Sequence, residues 1–149
     1  MLKNIFSWVL GVQIMLGSGV AYAQTVTQAI APFDESVWRI ETLYNQSKTI
    51  QTYQGERNYA SISFNPYTHR VTGRGLCNKF MGKFDQHDDK VTIHDVVTTH
   101  EKCLSDDVNT QDDRLFNYLK EVHSYSIHGK ILRLKDAQNH SLIIARWAK

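Results

Sequence analysis

Only one stretch of this chain carries a helical period. Leu115, Phe116, Leu119 and Val122 fall at i, i+1, i+4 and i+7 and form one apolar stripe. Thr110 stands ahead of it as a cap, with Asp113 at the third position. Nearly every other ordered-looking stretch is short and alternates at period two, so strands do not alternate with helices and a parallel α/β fold is excluded. The sequence predicts an α+β fold, a strongly curved antiparallel sheet or partly closed β-barrel with one covering helix.

The strands can be placed from their alternation and their punctuation. Val37–Leu43 sets Trp38 and Ile40 on one face, although Val37 and Leu43 blur the pattern. Tyr44 to Arg57 is polar and reads as a long loop with a short strand near Ile50. Tyr59–Phe64 alternates and stops at Asn65-Pro66, a turn signal because proline presets φ and donates nothing to a ladder. Arg70–Arg74 is the return strand. Gly73, Gly75 and Gly82 lie amid apolar residues, which implies a bend where backbone approaches backbone. Phe80 and Phe84 share a face, and Gln86–Asp89 turns into a strand over Lys90–Val97. After the helix come three more strands, Ser124–His128, Lys130–Lys135 and Ser141–Trp147, split by Gly129 and by Asp136–Asn139.

The first residues need a separate reading. Lys3, an apolar run from Ile5 to Val20 and Ala21-Tyr22-Ala23 form a secretory signal peptide cleaved after Ala23. The run is too interrupted and too short for the roughly 20 residues that span a bilayer. Residues 24–36 read as a flexible leader, and the folded domain as 37–149. No stable membrane anchor is expected after cleavage, and the product is expected to be a periplasmic or secreted monomer. In an oxidising compartment Cys77 and Cys103, the only two cysteines, are a disulfide pair. Such a bridge closes a loop of about 27 residues, worth roughly 3.5 kcal/mol on the chain-entropy model.

Charge and site chemistry exclude more than they assert. Seventeen Lys plus Arg against 15 Asp plus Glu, in 149 residues, leave too small and too scattered an excess for a nucleic-acid partner. His94, His100 and Cys103 are close in sequence, but their spacing matches no closed zinc pattern and a disulfide would consume the thiolate, so no metal and no cofactor is expected. Gly-x-Ser-x-Gly is absent, and a hydrolase would have to work through His94 or His100. The acidic pairs Asp88-Asp89, Asp106-Asp107 and Asp112-Asp113 fall in turns or at a helix start, where they are solvated or favoured by the helix dipole. No catalytic residue is therefore nominated. Asn78 stands out as a side chain whose amide fixes the bend beside the glycines. A binding role would need Asn78, Arg74, Tyr67 and Phe80 to share one exposed groove.

The run Val71-Thr72-Gly73, the block Cys77-Asn78-Lys79-Phe80-Met81-Gly82-Lys83-Phe84, Thr98-Thr99 ahead of Cys103, the amphipathic helix and Leu132-Arg133-Leu134-Lys135-Asp136 together resemble the META domain of HslJ-like proteins. Trp38 fits the same pattern, and the likeness spans Val37 to Trp147. Leu76 stands where the family commonly has glycine before Cys-Asn, and His100-Glu101-Lys102 replaces its usual methionine. The resemblance implies a small envelope or secreted domain linked to stress and drug tolerance, without established catalytic residues. Two functions follow as expectations. One is a non-enzymatic periplasmic module that binds an envelope protein, a peptide or a small ligand. The other is an inhibitor of an extracytoplasmic enzyme such as lysozyme, anchored by Lys83 or the Asp85–Lys90 turn.

Overall fold

The computed structural model describes residues 32–45, 48–51, 59–103 and 105–148. The signal peptide, most of the leader and most of the loop between Tyr44 and Arg57 lie outside them. The described residues form nine strands and one helix. These are β1 (Val37–Asn45), β2 (Lys48–Gln51), β3 (Ser61–Asn65), β4 (Arg70–Arg74), β5 (Lys79–His87), β6 (Lys90–Thr98), α1 (Asp106–Glu121), β7 (Ser124–His128), β8 (Ile131–Lys135) and β9 (Ser141–Trp147). All pairings are antiparallel. From β3 to β9 each strand lies beside the next, β1 pairs with both β3 and β9, and the sheet closes into a ring of eight strands. β2 extends the pairing of β1 beyond β3, with Leu43 opposite Ile50.

Alternation decides what points inward. Ile62 and Phe64 on β3, Phe80 and Phe84 on β5, Val91 and Ile93 on β6, and Leu132 and Leu134 on β8 are all buried. The blurred pattern of β1 has a physical cause, a register shift against β9 between Ile40 and Thr42. One extra residue there inverts the phase, so Trp38 and Ile40 face the core before it and Leu43 after it. A second shift, where β5 meets β6 between Met81 and Lys83, coincides with Asp95 at φ 52°. It lets Val96 pack on the core while Val97 faces outward.

Phe33 plugs the core, although the sequence places it in the leader. It is 5% exposed, stacks on Tyr125 with centroids 4.1 Å apart and lies 4.3 Å from Phe64. Its carbonyl accepts a hydrogen bond from Trp38 Nε1 at 3.1 Å, which satisfies the one polar atom of a fully buried indole.

The ring is weakest between β6 and β7, which share one residue pair, Lys90 with Ser124. The helix makes that connection and packs on β6 and β9. It starts five residues before the expected position. Ser105 is the N-cap, its hydroxyl accepting from Val108 N at 3.4 Å, with Asp106 and Asp107 in the first turn. Thr110 lies inside the helix and donates to the Asp106 carbonyl. Leu115, Phe116 and Leu119 form the buried stripe, and Phe116 meets Phe80 edge-on at 5.8 Å.

Candidate functional site

A short loop between β4 and β5, Gly75–Asn78, crosses the first half of α1, and its placement rests on one carboxylate. Asp112 is 2% exposed. Its Oδ1 accepts from Leu76 N at 2.7 Å, and its Oδ2 from Cys77 N at 3.1 Å and Asn78 N at 2.7 Å. Three successive N–H groups thus converge on one buried anion, an arrangement that orders loop and helix together. This corrects the reading of Asp112 as a solvated or dipole-favoured acid. Gly75 is required because a Cβ there would run into the Asp112 carboxylate, and Gly73 because a Cβ would meet the Ser61 carbonyl and the Phe80 ring.

Cys77 and Cys103 form the disulfide, with Cα atoms 5.8 Å apart. Asn78 lies beneath it, 7% exposed. Its Oδ1 accepts from Thr99 Oγ1 at 2.9 Å and Glu101 N at 2.7 Å, while Nδ2 sits 3.5 Å from Cys103 Sγ. The amide fixes the bend and the segment after β6. Asp112 has a carboxylate oxygen near both sulfurs. Yet the sulfurs are bonded to each other, and the carboxylate already accepts three hydrogen bonds.

The four residues nominated for binding do not meet in one groove. Asn78 and Phe80 are buried, Tyr67 is 81% exposed in the turn between β3 and β4, and Arg74 ends β4 half-buried. His94 is also apart from His100. It faces Asp85 at 3.1 Å on the outer side of β6. Asp95 binds Lys83 at 3.0 Å, and that hydrogen bond and charge hold its carboxyl below the usual range. Lys83, one proposed inhibitor anchor, is thereby engaged.

What the fold does assemble is an open groove of about 310 Å³ between the end of β6 and α1. Val96 and Phe116 supply apolar surface, and Thr98, His100, Asp113, Asn117 and Lys120 supply polar groups. Asp113, Asn117 and Lys120 recur at i, i+4 and i+7, so one helical face brings an acid, an amide and a base into line. That polar stripe beside the apolar one was the available sequence signal. Of this lining, the sequence points to His100 alone as a candidate ligand.

A family model for the META domain matches residues 31–149. The chain belongs to the META domain family. The match begins before Phe33, in keeping with the packing of that residue in this META domain. The fold is similar to that of a protein from Burkholderia xenovorans solved by NMR, with TM-score 0.65 and 14% identity over 83% of this chain and 96% of that one. A second NMR structure matches with TM-score 0.57 and 20% identity over 76% of this chain and 91% of its own. No curated protein matches the sequence. At these identities the likeness concerns the fold.

Proposed function

We propose that this META domain is an exported, non-catalytic binding module of the cell envelope whose ligand site is the groove between β6 and α1. The observation that carries the reading is the composition of that groove: an apolar surface of Val96 and Phe116, with Asp113 and Lys120 of opposite charge and hydrogen-bonding groups on Thr98 and Asn117. A volume of about 310 Å³ falls at the lower end of the range for small-molecule sites. The ligand class is a small amphiphile with an apolar body and hydrogen-bonding groups, and drug tolerance would follow from sequestering such molecules. Export is supported by the disulfide, since such bonds persist in oxidising compartments. The non-catalytic reading is supported by the commitment of Asn78 and Asp112 to backbone and loop contacts.

The test is a two-dimensional NMR titration of the mature domain with a panel of amphiphilic drugs and envelope-derived peptides. Saturable shifts centred on Val96, Thr98, Phe116, Asn117 and Lys120, abolished in the double substitution Asn117→Ala with Lys120→Ala, are expected. A ligand whose shifts cluster elsewhere and survive that substitution would reject the groove. Lysozyme assayed beside it should retain full activity, and stoichiometric inhibition would favour the inhibitor reading instead.

A further inference from the structure

The outer face of β4 and β5 carries a charge arrangement that opposes its own stability. Arg74 stands directly opposite Lys79 and Arg70 opposite Lys83, two like-charged cross-strand pairs on one ladder. Such pairs are destabilising unless countercharge is near. Asp95 supplies it for Lys83 at 3.0 Å, and Asp85, next along the outer face, faces His94 at 3.1 Å. Arg74 and Lys79 have no carboxylate partner among the described residues, and the Nε of half-buried Arg74 is itself buried without a hydrogen-bond partner. The register continues the upper row through Ser61 to Arg39, whose guanidinium lies 4.2 Å over the Tyr59 ring. Beyond it, Arg146 is paired with Glu41 at 2.7 Å.

Between these two cationic rows runs a neutral one. Val37, Ser63, Thr72, Met81 and Val97 are successive cross-strand neighbours on the same outer face. Val37, Met81 and Val97 are 38%, 52% and 59% exposed, three of the four exposed large hydrophobics among the described residues. The outlying one is Tyr67. Two residues of strand separate adjacent rows, so the cations flank the apolar row about 13 Å apart.

We propose that this face docks on the surface of an anionic phospholipid membrane, with Arg39, Arg70, Arg74 and Lys79 on lipid phosphates and Val37, Met81 and Val97 at the headgroup boundary. Charge complementarity selects an anionic partner. The apolar row between two cationic ones selects a lipid interface over an acidic peptide, which would need one row only, and over a nucleic acid, which would leave Met81 and Val97 unused. No helix of the described residues is long and apolar enough to cross a membrane.

The experiment is co-sedimentation of the full mature chain with vesicles of phosphatidylglycerol and phosphatidylcholine, against phosphatidylcholine alone. Binding to the anionic vesicles only is expected, with loss in ~1 M salt, where the screening length is about 3 Å. Arg74→Glu with Lys79→Glu should weaken it at least about thirtyfold, given the contribution of each basic residue near such a surface. Lys90→Glu with Lys135→Glu, matched in charge and set together across Ser124 on the far strands, should bind as wild type, and Met81→Ser with Val97→Ser should weaken binding while sparing its salt dependence. Circular dichroism checks folding, and Arg74→Gln with Lys79→Gln serves if the reversal unfolds. Equal binding to both vesicles, no binding to either, or unchanged binding after charge removal would overturn the proposal. So would capture of an acidic polypeptide by a chain that ignores vesicles. None of these outcomes touches the groove, which lies on the opposite side of β6.

Discussion

Asp112 shows how one side chain can set the path of a loop remote in sequence. Its carboxylate receives N–H groups from residues 34 to 36 positions earlier. Replacing it by alanine strands one buried and two partly buried donors. The expected cost is about 3 kcal/mol, read from urea denaturation, since hydrogen bonds to charged groups are worth about 1.5–3 kcal/mol each and water will recover part of the loss. Asp112→Asn keeps the volume but offers one acceptor oxygen to three donors, so it should fall between alanine and wild type. Nothing in the sequence marks this residue, because its partners are backbone groups and a backbone N–H has no sequence signature. Gly75 was the visible half of the contact: a glycine among apolar residues signals a close approach, and the Asp112 carboxylate is what approaches.

Among the elements, strands were legible wherever a buried face alternates with a wet one. β4, β7 and β9 coincide with their expected ranges, and β3, β6 and β8 lie close to theirs. The helix was legible in its apolar half only. Residues from Asp106 to Gln111 add nothing to the apolar core, so the stripe could not reveal them, and Thr110 offered capping chemistry at the wrong turn. The structure separates the two capping positions by experiment. Ser105→Ala should cost about 1 kcal/mol, because it removes an acceptor from an otherwise unsatisfied N–H. Thr110→Ala removes only a bond back to the Asp106 carbonyl and should change thermal stability little, or raise it slightly through alanine's helix propensity. Equal losses in both variants would show that Ser105 does not cap. The groove has no sequence signature for a related reason: each of its walls is an ordinary half-buried element, and only the docking of α1 on β6 creates the space between them.

For the whole molecule, the disulfide and the Asp112 contact secure the same corner by different means. The bridge restricts the unfolded chain over about 27 residues, while the carboxylate acts in the folded state alone. A double variant, Cys77→Ala with Cys103→Ala, should therefore remain folded and lose about 3 kcal/mol, with the amide spectrum of α1 and β5 otherwise preserved. Collapse of that spectrum would mean that the sulfurs, and not the carboxylate, hold the loop. Curvature and helix cover could be anticipated from many short strands and one stripe. Partial closure belonged to the same expectation, but not which strands complete the ring, because pairing of β1 with β9 joins residues 100 or more positions apart.

That closure has a consequence for how the chain comes to be made. A ribosome delivers β1 first and β9 last, so Trp38 and the free edge of β1 wait, unmatched, until Trp147 has emerged. Any nascent or prematurely stopped product offers that edge to proteases, chaperones and its own siblings. Synthesis must outrun self-association in a protein that cannot finish folding before its final strand arrives.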